Sequence, residues 1–174
     1  MQRIEDGLEK GTIDVYFGLI RNPEREKKCI FVEPLYTINY ILIARADDNA
    51  VINSIDDLRK VTQNTKILTV GGSSIVSYIK SLGLQADSEG ADVSNNLDKL
   101  IVGRARFMIY QDLALFHDMN SPKYKNKFKI IPLTLHKEDL WLVFSKNSNE
   151  TYRRDIQTVI KKLKASGEWD KIIH

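Results

Sequence analysis

The chain has 174 residues, 43% of them hydrophobic and 28% charged, with a formal net charge of +3. This balance is ordinary for a folded globular chain and excludes disordered and collagen-like classes. The small charge is spread among interleaved acids, as in Arg21, Glu24, Arg25, Glu26, Lys27 and Lys28, and gives no basis for nucleic-acid binding.

Apolar spacing predicts alternating strands and helices, the pattern of an α/β fold. Residues 3–10 read as the end of a helix stopped by Gly11, and Thr12–Phe17 as a strand with Ile13, Val15 and Phe17 on one face. A loop with Pro23 follows, then a strand Cys29–Val32, a turn at Glu33-Pro34 and a longer strand Tyr36–Ala46. Ser54 is placed to cap a helix Ile55–Lys60, with Asp56 and Asp57 favourable in its first turn. Lys66–Val70 reads as a strand, and a helix with Ile75, Ile79 and Leu82 on one face follows. Ser94 is the expected cap of a helix carrying Leu97, Leu100 and Ile101 and closed by Gly103. Phe107–Tyr110 is a strand, Leu113–Met119 a helix, residues 120–127 a polar loop, and Phe128–Leu133 and Leu140–Phe144 strands. Tyr152, Ile156, Val159, Ile160 and Leu163 form one helical stripe, ended by Gly167, and Trp169, Ile172 and Ile173 close the chain.

No apolar run reaches the about 20 residues of a membrane span. The single cysteine, Cys29, excludes an internal disulfide and reads as a buried thiol beside Ile30 and Phe31. His117, His136 and His174 share no metal-ligand spacing, and neither a Walker A lysine nor a nucleophile elbow is present. No catalytic residue, metal or cofactor is therefore assigned. Two stretches suit anions. Gly71-Gly72-Ser73-Ser74 lies between a strand and a helix start, where free N–H groups and two hydroxyls could hold a carboxylate. Arg25 follows a strand and could grip a carboxylate with two parallel hydrogen bonds. Plain helix capping by Ser73 or Ser74, and a surface pair of Arg25 with a neighbouring glutamate, are the commoner uses of such residues, and both readings stay open.

The ordered set Gly11-Thr-Ile-Asp14, Pro23-Glu24-Arg25 and Phe31-Val-Glu-Pro34-Leu-Tyr36 resembles the family 3 extracellular solute-binding proteins, the type II periplasmic amino-acid-binding proteins of ABC transporters. Ile55-Asp56-Asp57-Leu58, Gly72-Ser73-Ser74, Leu100-Ile101-Val102-Gly103-Arg104 and Leu163-Lys-Ala-Ser-Gly167-Glu-Trp-Asp-Lys-Ile172 continue it in the same order. The resemblance implies two α/β lobes joined by two hinge strands, with lobe 1 at 1–37 and 141–174, lobe 2 at 38–140, and ligand in the cleft. The family has a further stretch before the position where this chain starts, so lobe 1 is expected to be incomplete. That expectation also accounts for an N-terminus, MQRIEDGLEKG, without the apolar core of a signal peptide. It leaves room for an oligomer formed through the open lobe.

Carried over by position, the resemblance makes Arg25 the clamp on a ligand carboxylate. Gly18 and Ile20 become strand-end backbone contacts, and Gly72, Ser73 and Ser74 the lobe 2 donors. Asp112 becomes the acceptor of an ammonium, with Gln111 the alternative holder of that place. Ile20 stands where the family has Ser or Thr, Asn22 replaces a Thr, and Arg106 replaces an Asp. The implied function is binding of a small amino-acid-like or other small polar ligand in the periplasm or elsewhere outside the cytoplasm, read by a membrane permease or a sensor protein. The alternative is a cleft enzyme of the cyclohexadienyl dehydratase type, with Glu33, Glu138 and Asp139 as the acids on offer.

Overall fold

The computed structural model describes residues 2–71, 75–90, 92–133 and 135–173. They form two compact units, Met1–Thr37 with Glu138–His174, and Ile38–Lys137. The chain passes from one unit to the other along two strands, one of them 17 residues long.

In the first unit, helix α1 (Gln2–Lys10) leads to strand β1 (Val15–Ile20), helix α2 (Pro23–Lys28) and strand β2 (Cys29–Arg45). The strand β1 starts later than the spacing predicts, because the N–H groups of Thr12 and Ile13 bond back to the Gly7 carbonyl and prolong the turn after α1. It also runs on past Phe17. There the antiparallel register with β7 (Lys137–Ser145) slips by one residue, between Phe17 and Leu19, and Gly18 takes a φ of 108°. An L side chain rarely adopts that conformation, so glycine is what lets the bulge re-aim the strand end. Phe17 is 51% exposed as a result of its place on this strand, which lies at the end of the order β1-β7-β2.

The expected turn at Glu33-Pro34 is absent; β2 continues through it without a break. A strand needs ladder donors only at alternate residues, so a proline at a position that donates nothing is tolerated. Lys164 fixes this point, with Nζ 3.1 Å from a Glu33 carboxylate oxygen and bonded to the Pro34 carbonyl.

Two apolar clusters fill the unit. Leu35, Leu142, Phe144, Ile160 and Trp169 form one, and Leu8, Leu19, Cys29 and Val143 the other. Helix α7 (Glu150–Ala165) packs through Ile156, Ile160 and Leu163, a stripe narrower than its spacing suggests. Val159 lies about 100° round from Ile160 and is 54% exposed. Helix α8 (Glu168–Ile173) docks through Trp169, whose indole N–H donates to the Leu35 carbonyl at 2.8 Å.

In the second unit the strand order is β6-β2-β5-β3-β4, from β6 (Phe128–Ile131), β5 (Phe107–Gln111), β3 (Ile67–Val70) and β4 (Ala86–Gly90). Strands β5 and β6 pair antiparallel to β2, while β3 is parallel to both β4 and β5. Helices α3 (Ile55–Val61), α4 (Ile75–Ser81), α5 (Val93–Ile101) and α6 (Asp112–Met119) complete it. Strand β4, sequence ADSEG, carries no apolar alternation and was not expected. It is held by backbone pairing and by Gly90, where a Cβ would fall 2.1 Å from the Asn96 amide oxygen.

Ser54 caps α3 as expected, its hydroxyl accepting from the Asp57 N–H at 3.1 Å. The cap of α5 is Asp92 rather than Ser94, with a carboxylate oxygen 2.8 Å from the Asn95 N–H. Starting the helix there buries Val93 together with Leu97 and Leu100. The core of this unit joins those three to Ile43, Leu68, Met108, Leu115, Tyr124 and Phe128. Burying each such side chain contributes about 1.5–3 kcal/mol.

Candidate functional site

In the first unit the residues of interest gather at the end of β1. Asn22 caps α2, its side-chain oxygen accepting from the Arg25 N–H at 2.9 Å, and Pro23 opens the helix. Asparagine thus performs the capping that a threonine would, and places Arg25 in the first turn. The Arg25 guanidinium is largely buried and donates in two directions. Nε and Nη2 both reach one oxygen of Glu5, at 3.2 and 2.9 Å, and Nη1 reaches the Ile20 carbonyl at 2.8 Å. Glu5 comes from α1, so the pair ties α1 to the turn after β1.

Ile20 therefore sits beside Arg25, its carbonyl already an acceptor for it, while Gly18 lies at the bulge two residues earlier, near Tyr36 and Leu140. The Cys29 thiol lies 3.1 Å from the Arg25 carbonyl. Burial first, and then the Glu5 carboxylate, push its pKa up, so it is a protonated, inert packing group.

In the second unit, β5 ends at Gln111 and α6 begins with Asp112. Gln111 stands opposite Tyr40 in the ladder and makes no side-chain cap. Asp112 is 9% exposed. One carboxylate oxygen accepts from the Asn39 side-chain amide at 2.6 Å and the other from the Leu113 N–H at 2.8 Å. Both donors are neutral, and among the described residues Asp112 has no ion pair.

Next to Asn39 along β2, Tyr40 stacks on His136, which stacks in turn on Tyr78 of α4, with centroids 5.9 and 4.8 Å apart. Burial raises the Tyr78 pKa, so its ring stays a neutral phenol. Asn39, Tyr40, Ile41, Leu133, Leu135, His136 and Lys137 line a cavity of about 180 Å³. Gly72, Ser73 and Ser74 lie outside the described residues.

Of the acids considered for turnover, Glu33 is paired with Lys164 and Asp139 accepts from the Thr37 hydroxyl at 2.6 Å. Glu138 is a partly buried residue of β7.

Two participants escape a reading of the sequence. Asn39 had a signal, since it is the lone amide that breaks an apolar strand. Glu5 had none: its partner is 20 positions away, and nothing local distinguishes it from other helix-surface glutamates.

The model of the bacterial extracellular solute-binding proteins, family 3, matches residues 1–174. The L-cystine-binding protein TcyJ of Bacillus subtilis (strain 168) is 24% identical over 168 residues, covering 95% of this chain and 61% of that protein. The chain therefore spans less than two thirds of that relative. A putative binding component of an ABC transporter from Wolinella succinogenes, complexed with lysine, superposes with a TM-score of 0.81 at 18% identity, covering 98% of this chain and 72% of the other. The ancestral amino-acid-binding protein AncCDT-1, a precursor of cyclohexadienyl dehydratase, gives a TM-score of 0.77 at 20% identity, covering 98% and 71%. At these identities the superpositions establish the fold, that of type II periplasmic binding proteins.

Proposed function

Because this chain belongs to the bacterial extracellular solute-binding proteins, family 3, we propose that it binds a small amino-acid-like ligand outside the cytoplasm and does so without chemical turnover. Arg25 receives the ligand carboxylate and Asp112 the ammonium. The bound state is read by a membrane permease, or by a sensor protein that uses the chain as its input.

The observation that carries this reading is the state of Asp112. The Asp112 carboxylate is nine-tenths out of water and held by two neutral donors, with no ion pair among the described residues. Burying it uncompensated is costly. An arriving ammonium supplies the missing charge, and the attraction is stronger there than in water. On the other side, Arg25 has donors left over after its bonds to Glu5 and Ile20. A ligand that carries both charges matches both groups. Gly72, Ser73 and Ser74 are assigned, on the resemblance alone, to the same carboxylate. No helix among the described residues is long and apolar enough to cross a membrane.

Titration calorimetry of the protein against the twenty L-amino acids and L-cystine tests the proposal. A saturable heat with one of them is expected, weakened at least about tenfold in Asp112→Asn, which keeps the shape and one acceptor for the Leu113 N–H while removing the charge, the Asn39 amide turning over to accept from the new NH2 group. Unchanged affinity in Asp112→Asn would contradict the assignment. Conversion of prephenate with loss of water and carbon dioxide is expected to be absent, and its appearance would favour the dehydratase reading.

A further inference from the structure

Arginine carries five N–H donors in a rigid planar fork. In Arg25, three are used: Nε–H and one Nη2–H on the same Glu5 oxygen, and one Nη1–H on the Ile20 carbonyl. Among the described residues two remain without a partner, one on each terminal nitrogen. The guanidinium is thus gripped along its Nε side by a carboxylate and at Nη1 by a backbone carbonyl, and its plane is set by three bonds from two elements. The side chains of Arg25 and Glu5 are only 16% and 19% exposed, so neither solvent screening nor side-chain rotation loosens the pair as it would on a surface. Glu5 itself is anchored by its helix, because Leu8, one turn on, is fully buried.

We propose that Glu5 is the positioning residue for carboxylate recognition: it pins Arg25 so that the two unused N–H groups are held ready for a carboxylate. This rests on the reading of Arg25 as the ligand's anion contact. Pre-organising a donor pair lowers the entropy lost on binding and favours planar two-oxygen acceptors over single-oxygen ones. Glu5 is therefore a determinant of selectivity for a free carboxylate over the corresponding amide. The opposite arrangement, in which Glu5 competes with the ligand for Arg25, predicts the reverse sign when Glu5 is removed.

The test uses the intact chain and pairs each binding amino acid from the calorimetric panel with its α-carboxamide. Wild type is expected to prefer the acid. In Glu5→Ala and Glu5→Gln the acid is expected to bind about tenfold more weakly, with little change for the amide, so that the preference shrinks. A loss of stability alone would lower both affinities together and overturn the proposal, as would tighter binding of the acid. Arg25→Lys separates the two levels. If it leaves the acid-over-amide preference intact, the reading of Arg25 fails. If it abolishes the preference while Glu5→Ala does not, only the role of Glu5 fails.

A second measurement needs no ligand. The Arg25 Nε–H resonance, assigned by its loss in Arg25→Lys, is expected to be sharp and protected from exchange in wild type. It should broaden or exchange fast in Glu5→Ala. An unaltered resonance in that variant would overturn the proposal independently.

Discussion

A carboxylate buried among neutral donors and a guanidinium already bonded to a glutamate are the two charged groups on which the proposed binding turns. They differ in what their removal exposes. Arg25→Ala would leave Glu5 without its partner in a site that is less than one-fifth exposed, so this variant is expected to lose about 1–3 kcal/mol of stability as well as ligand affinity. Chemical denaturation measures the first and calorimetry the second. Asp112→Asn is expected to lose mainly affinity, with a smaller loss of stability because its amide offers one acceptor where the carboxylate offers two. A third charged group, Asp48, has a structural duty. The Arg106 guanidinium bonds to it at 2.7 and 3.1 Å, and this bond, followed by the Ala50 N–H, holds the Asp48 carboxyl below its ordinary value against the opposing effect of burial. A carboxyl whose pKa is lower folded than unfolded adds stability that is present above about pH 4 and disappears as pH falls through the folded value. Thermal unfolding followed downward from pH 5 should therefore show an acid loss that is reduced in Asp48→Asn. The residue pattern pointed to Arg25, and the family resemblance to Asp112, as charged candidates. They could not show that each has a local partner, since Glu5 and Asn39 meet them only after the chain has folded back.

At the scale of elements, the agreement between sequence and structure follows the strength of the local signal. The helices α3 and α7 were legible because caps and apolar spacing act within one or two turns. The strand β2 was broken too early, at Pro34, because proline reads as a turn when its ladder position is unknown. The strand β4 was invisible, since pairing with β3 rather than its own side chains makes it a strand. The strand β1 carries the Gly18 bulge, which precedes the turn that holds Arg25. With φ at 108°, Gly18→Ala is expected to cost about 1–2 kcal/mol in backbone strain. The added methyl group would also stand 3.5 Å from the Tyr36 hydroxyl, which is ordinary contact. The melting temperature should fall, and the turn holding Arg25 should be displaced with it. A melting temperature equal to wild type would show that the bulge is not needed to set the strand end.

For the whole molecule, each of the two units has its own apolar core and carries one of the charged groups named in the proposal. The family match over residues 1–174 and the shared fold establish the class of protein. They leave the ligand to be found by binding, because a fold hosts many functions and the site decides among them. The most direct measurement is a thermal-shift comparison of wild type and Arg25→Ala against the amino-acid panel. A ligand at a hundredfold excess over its dissociation constant stabilises a folded protein by about 2.7 kcal/mol. A rise in melting temperature selective for one or a few amino acids in wild type, absent in a folded Arg25→Ala sample, is the predicted result. A folded wild-type protein that none of these ligands stabilises, or a shift that survives unchanged in Arg25→Ala, would contradict the account.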